Sequence, residues 1–232
     1  MQLDQLIDNR QLWRAGQWLH NGQDAIATGY QPLDELLAGG GLPLGSLSEF
    51  ITDRDNTGAL RLLLNSLATL SQQGRWIAFI APPHLPCAST LSKHGIDISK
   101  LLLIHPKNNN DTLWAMEQAL RAGTCGAVLA WPTQINERQL RRIQLAAEEG
   151  HASGMLFHQH SSQQLSASPA ALRLKISPQS EGITIDILKR RAGWPIGPIN
   201  LNWNQCHGNE APTLAMPAST TAITGSVQTL AI

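Results

Sequence analysis

The residues best placed to do chemistry lie between a predicted strand, Ser46–Ile51, and a predicted helix, Gly58–Gln73. The stretch Thr52-Asp53-Arg54-Asp55-Asn56-Thr57-Gly58-Ala59-Leu60 has the strand–loop–helix layout of a segment that wraps the phosphates of a nucleotide. Such a loop needs glycines so that backbone N–H groups can close round the anion, a lysine for the β and γ phosphates, and a Ser or Thr for Mg²⁺. Only Gly58 is of the right type, and Ala59 and Leu60 stand where the lysine and the hydroxyl belong. A pair of unit charges about 4 Å apart interacts by roughly 4 kcal/mol at an effective dielectric near 20. The missing lysine removes an attraction of that order, and Asp53 and Asp55 add repulsion. The strand that would end in a Mg²⁺-holding acid ends instead in Leu129-Ala130-Trp131-Pro132. Thr52, Asp53, Asp55, Gly58 and Ala59 therefore read as a degenerate, non-functional phosphate loop. No nucleotide hydrolysis, no catalytic residue and no cofactor are expected.

A second candidate is Lys189-Arg190-Arg191, a run of cations at the end of a predicted strand and close to Trp194. With no nucleotide to contact, these residues are candidates for DNA phosphate or for an acidic partner surface, with Trp194 available to stack on a base. His158 and His160 share a strand face, but no Cys or acidic residue at ligand spacing joins them, so no metal site is expected. Cys87, Cys125 and Cys206 are far apart and form no C-x-x-C pair, which fits a reducing compartment.

These groups must be held by a chain of 232 residues that is 42% hydrophobic and 15% charged, with 17 basic and 17 acidic residues. A globular core follows, and a DNA binder driven by its overall field is excluded. Leu3, Leu6, Ile7 and Trp13 suggest an amphipathic helical arm over residues 1–24. Strands at Arg75–Ala81, Leu101–His105, Cys125–Trp131 and Gly154–His158 alternate with helices at Ala88–His94, Thr112–Ala122 and Asn136–Glu149. That alternation implies an α/β core with a mostly parallel sheet over 25–203. Leu172–Ile176 and Ile183–Leu188 alternate apolar and polar residues and read as an antiparallel hairpin at the sheet edge. Residues 204–232, low in charge and rich in Thr, Ala, Pro and Ser, read as a low-complexity tail without order. No apolar run is long enough to span a membrane, and a cytoplasmic protein is expected.

"TGYQPLDELLAGGGLPLGSLSEF" resembles the entry to the RecA core, and "HGIDISKLLLIHP" with "TLWAMEQALRAGTCGAVLAW" continues in the same register. "LSQQGRWIAFIAPP" and "AAEEGHASGMLF" are similar to two RecA relatives without ATPase motifs, the ImuA and SulA families. The upstream "TGYQPLDELLAGGGLP" and downstream "LKRRAGWPIGPINLNW" resemble ImuA more closely, so ImuA is the first expectation and SulA the second. The resemblance implies a RecA-like P-loop-type fold. With ImuA it implies a non-catalytic adaptor of the SOS response, supporting translesion synthesis beside an ImuB-like protein, an error-prone polymerase and RecA. With SulA it implies an inhibitor of cell division that binds FtsZ. A residual nucleotide-dependent DNA-binding protein is the remaining alternative. Weak or indirect DNA contact and self-association through the N-terminal arm are further implications, and the region around Asn136–Glu149 lies near the target surface in SulA-like proteins.

Overall fold

The computed structural model describes residues 24–52, 58–159, 168–205 and 228–231. The N-terminal arm therefore lies outside the described residues. β1 (Ala25–Ile26) and β2 (Leu42–Pro43) pair as a small antiparallel ribbon. Between them sits α1 (Gln31–Asp34), with Pro32 in its first turn, where a missing N–H does no harm. The Asp34 carboxylate closes this entry motif by accepting from the Thr28 amide at 2.9 Å, the Thr28 hydroxyl at 2.8 Å and the Gly29 amide at 3.1 Å.

Among the described residues the main sheet has nine strands: β3 (Ser46–Thr52), β4 (Trp76–Ile80), β5 (Leu101–His105), β6 (Cys125–Ala130), β7 (Ser153–Gln159), β8 (Leu172–Gln179), β9 (Gly182–Lys189), β10 (Ile196–Asn202) and β11 (Gln228–Ala231). Their order across the sheet is β10-β9-β8-β3-β7-β6-β4-β5-β11. α2 (Ala59–Gln72), α3 (Ala88–Lys93), α4 (Asn109–Arg121) and α5 (Glu137–Gly150) connect the central strands. α4 and α5 start where the sequence supplies caps. The Asn108 side chain accepts from the Asp111 amide at 2.9 Å, and Asn136 and Gln139 form a reciprocal capping box. Each such cap contributes about 1 kcal/mol.

Every residue of β3 and β6 is buried; β6 reads as a near-continuous apolar run for that reason, whereas β3 carries Ser46, Ser48, Glu49 and Thr52 among its apolar residues. One apolar core lies between the sheet and the α1–α2 side, with Phe50, Leu62, Leu67, Phe79, Phe157 and Ile185 fully or almost fully buried. The other lies under α4 and α5, around Leu47, Ile80, Met116, Val128, Leu140 and Leu156. Within the first, the rings of Phe50, Phe157, Trp131 and Phe79 stack in sequence, with centroids 5.0, 4.5 and 6.2 Å apart.

The RecA-like P-loop fold expected from the resemblance is corrected by this sheet, which is mixed. The strand–helix alternation does give parallel pairing from β8 through β3, β7, β6 and β4 to β5. β8–β9 and β9–β10, however, pair antiparallel, because connections this short cannot return a chain to a parallel start. The hairpin of β8 and β9 is present, though not at the edge. β8 pairs with β3 on its inner side and β10 lies outside β9. β10 was not among the expected strands. It contains Pro198, which it tolerates as an outer strand, with a register shift between Ile196 and Ile199. In the tail, Gln228–Ala231 forms β11, parallel to β5.

Candidate protein-interaction surface

The positions of the degenerate phosphate loop are absorbed by packing. Thr52 ends β3 and is 3% exposed, and Asp53 and Asp55 lie outside the described residues. Gly58 immediately precedes α2 beneath the antiparallel strands, where an added Cβ would sit 2.5 Å from Ile183 Cγ2 and 3.7 Å from Trp203 Cζ2. Ala59 is fully buried. In the same first turn the Arg61 guanidinium lies over the Trp203 ring, 4.5 Å from its centroid. The N-terminal end of α2 is thus filled by apolar and aromatic side chains. Trp131, where an acid would be needed, sits within the aromatic stack.

The basic run is split by the chain's local geometry. Lys189 Nζ donates to the Ser168 carbonyl at 2.6 Å, and burial pulls its pKa below the usual lysine value. Arg190 Nε donates to the Trp194 carbonyl at 3.1 Å, and its Nη1 donates to the Leu36 carbonyl, tying the β9–β10 turn to the segment after α1. Arg191 and Trp194 are exposed, Trp194 at 86%. So Lys189 and Arg190 brace the backbone, and only Arg191 and Trp194 of this group present themselves to solvent.

Sequence reasoning missed the most concentrated chemistry in the molecule. Glu49, in the middle of β3, is fully buried. Its Oε2 lies 3.0 Å from His158 Nε2 and 3.4 Å from Arg173 Nε, and its Oε1 accepts from the Ser168 hydroxyl. Burial alone would raise the Glu49 pKa, but the His158 and Ser168 hydrogen bonds and the Arg173 charge outweigh it, and the net shift is downward. His158 belongs to a central strand, and its ring is committed to this carboxylate. The legible signal was a carboxylate in the middle of a predicted strand, between Ser48 and Phe50.

Three large apolar side chains remain exposed on α4, α5 and the connection before α3: Leu85 at 70%, Trp114 at 52% and Leu145 at 56%. Trp114 borders a groove between α4 and α5 that Leu113, Gln139, Arg142 and Ile143 also line. The two helices are stapled by Glu117, which is almost buried. It pairs with Arg142 at 2.6 Å and Arg121 at 3.2 Å, and Arg121 in turn meets Glu149 at 2.9 Å. A rigid pair of helices showing an aromatic ring beside an arginine head has the composition of a protein-docking surface. Among the described residues no helix is long and apolar enough to cross a membrane.

The family model described as Cell division inhibitor SulA matches residues 45–154, the segment that carries these three side chains. The SulA proteins of Yersinia pestis (strain Pestoides F) and Yersinia pseudotuberculosis serotype O:1b (strain IP 31758) are each 34% identical over 113 residues, covering 49% of this chain and 67% of theirs. The crystal structure of SulA from Pseudomonas aeruginosa is 28% identical, covers 49% of this chain and 98% of its own, and superposes with a TM-score of 0.42. These matches correct the first expectation. They do not support ImuA, and the ImuB-like and polymerase partners that went with ImuA are set aside. The chain belongs to the SulA family of cell division inhibitors.

Proposed function

We propose that this chain is a non-catalytic, cofactor-free inhibitor of cell division of the SOS response that binds the division protein FtsZ and blocks its polymerisation. The observation that carries the reading is the SulA match over residues 45–154, in a segment whose exposed apolar groups Leu85, Trp114 and Leu145 suit contact with another protein. The filled N-terminal end of α2 supports the absence of turnover, since neither Gly58 nor Ala59 leaves room for a phosphate-reaching side chain.

A non-catalytic inhibitor acts by mass action, so it must be present at a concentration comparable with its target. The decisive experiment titrates the purified chain into FtsZ with GTP and follows polymer by sedimentation. Pelleted FtsZ is expected to fall as the chain approaches equimolar amounts, and overproduction in cells is expected to give long filaments. Undiminished pelleting at a several-fold molar excess, with normal division on overproduction, would refute the reading.

A further inference from the structure

β5 is the last strand of the parallel run and pairs with β4 on its inner side. Its residues Leu101-Leu102-Leu103-Ile104 include no charge and no proline, the devices that usually keep a foreign strand from adding to a sheet edge. Leu101 and Ile104 are buried and Leu102 and Leu103 half-buried, so the core holds this strand in place whatever lies beside it. Left bare, it would be a ready template for another extended segment.

What covers that edge is β11. Its backbone pairs with β5 in an unbroken parallel register, from Gln228 with Leu102 to Ala231 with His105. Among the described residues β11 pairs with no other strand. Four residues of backbone pairing barely offset the conformational entropy of ordering them, so β11 can leave and rebind. Its tether sets where it rebinds. Gln205 follows β10, and Gln228 begins β11 at the opposite edge, eight strand spacings or about 38 Å across the sheet. Residues 206–227, 22 in number, can span at most about 75 Å. That reach covers the chain's own β5 and leaves enough length for the β5 of a second copy. β5 lies within the segment matched by the family model, residues 45–154, and β11 lies beyond it.

We infer that the edge of β5 is a strand-acceptor site for the C-terminal strand of this chain, and that two copies exchange these strands, each β11 completing the β5 of the other. The exchanged and closed forms make the same pairing, so concentration sets the balance between them. Sedimentation of the full chain is expected to shift from monomer to dimer between micromolar and submillimolar concentration. A chain lacking residues 228–232 is expected to stay monomeric over that range. By fluorescence anisotropy, a labelled peptide of residues 224–232 is expected to bind the truncated chain at least about tenfold more tightly than the full chain, whose own strand competes. A full chain that remains monomeric throughout, or a dimer that survives the truncation, would overturn the exchange. A peptide that does not bind the truncated chain would overturn the acceptor site. If the truncated chain does not fold, the full-length Thr229→Pro, Leu230→Pro double variant, which strips two amide hydrogens from β11, takes its place in both measurements with the same expected and refuting results.

Discussion

The phosphate-loop argument makes its sharpest prediction at Ala59. If the missing lysine alone separated this chain from a nucleotide-binding one, Ala59→Lys would repair it. The structure predicts damage instead. Ala59 is fully buried at the first position of α2, next to Gly58, in the apolar core that also holds Ile183 and Trp203. Ordering a buried lysine side chain costs up to about 2 kcal/mol of rotamer entropy. A cation in the first helical turn opposes the helix dipole by about 0.3–1 kcal/mol. Partial desolvation of the ammonium and displacement of packed neighbours add about 1–3 kcal/mol more. A total near 4 kcal/mol translates, at about 2–4 °C per kcal/mol for a chain of this size, into a Tm lowered by roughly 8–16 °C. Thermal unfolding followed by circular dichroism measures the loss. Calorimetric titration with Mg-ATP, run on the folded variant below its transition, is expected to show no heat at millimolar nucleotide. An Ala59→Lys protein that keeps its parent Tm and binds ATP would refute the packing argument.

Three further outcomes are expected. Trp114→Ala, which trims an exposed ring beside the α4–α5 groove, should leave the Tm within about 1–2 °C but weaken FtsZ binding by at least tenfold, as removal of a buried aromatic anchor does; equal affinity by surface plasmon resonance would move the interface elsewhere. Because Glu49 is held below its ordinary value of 4.5, its stabilising contribution is present above that pH and is lost as pH falls through the lower folded-state value; a Tm–pH profile should drop there, and a Glu49→Gln profile should drop less. Cys87 is exposed, and hydrogen bonds from Ser89 and Thr90 lower its pKa to about 7, whereas burial raises that of Cys125; iodoacetamide should therefore alkylate Cys87 with a half-maximal rate near pH 7 and spare Cys125 in the folded protein, as peptide mass mapping would read out.

Local patterns carried much of the fold. Cys125–Ala130 is apolar throughout because both faces are covered, and Asn136 with Gln139 announces the start of α5 three residues before its first buried leucine. Long-range pairing was less legible. Pro198 denies β10 an interior place, yet nothing local says that an outer strand will accept it. In the basic run, sequence adjacency misled, because neighbours on a strand and its turn point apart. Lys189 goes inward to Ser168 and Arg190 reaches back to Leu36, and neither destination is near in sequence. Glu49 was readable only as an anomaly, since its partners come from β7, β8 and the connection between them. The fold class and the family moved for a common reason. The resemblance was read over residues 25–203, whereas the family model matches residues 45–154.

The proline of β10 also bears on what can add to this sheet. A bare strand margin invites another chain to add on, and here that margin carries Pro198, which has no amide hydrogen to offer, and a shift in register between Ile196 and Ile199. Because β8, β9 and β10 lie outside β3, they also take away the flank along which β3 would otherwise recruit a stranger. The outermost strand there therefore offers an irregular margin with one donor missing, a poor template for growth by stacking copies margin to margin.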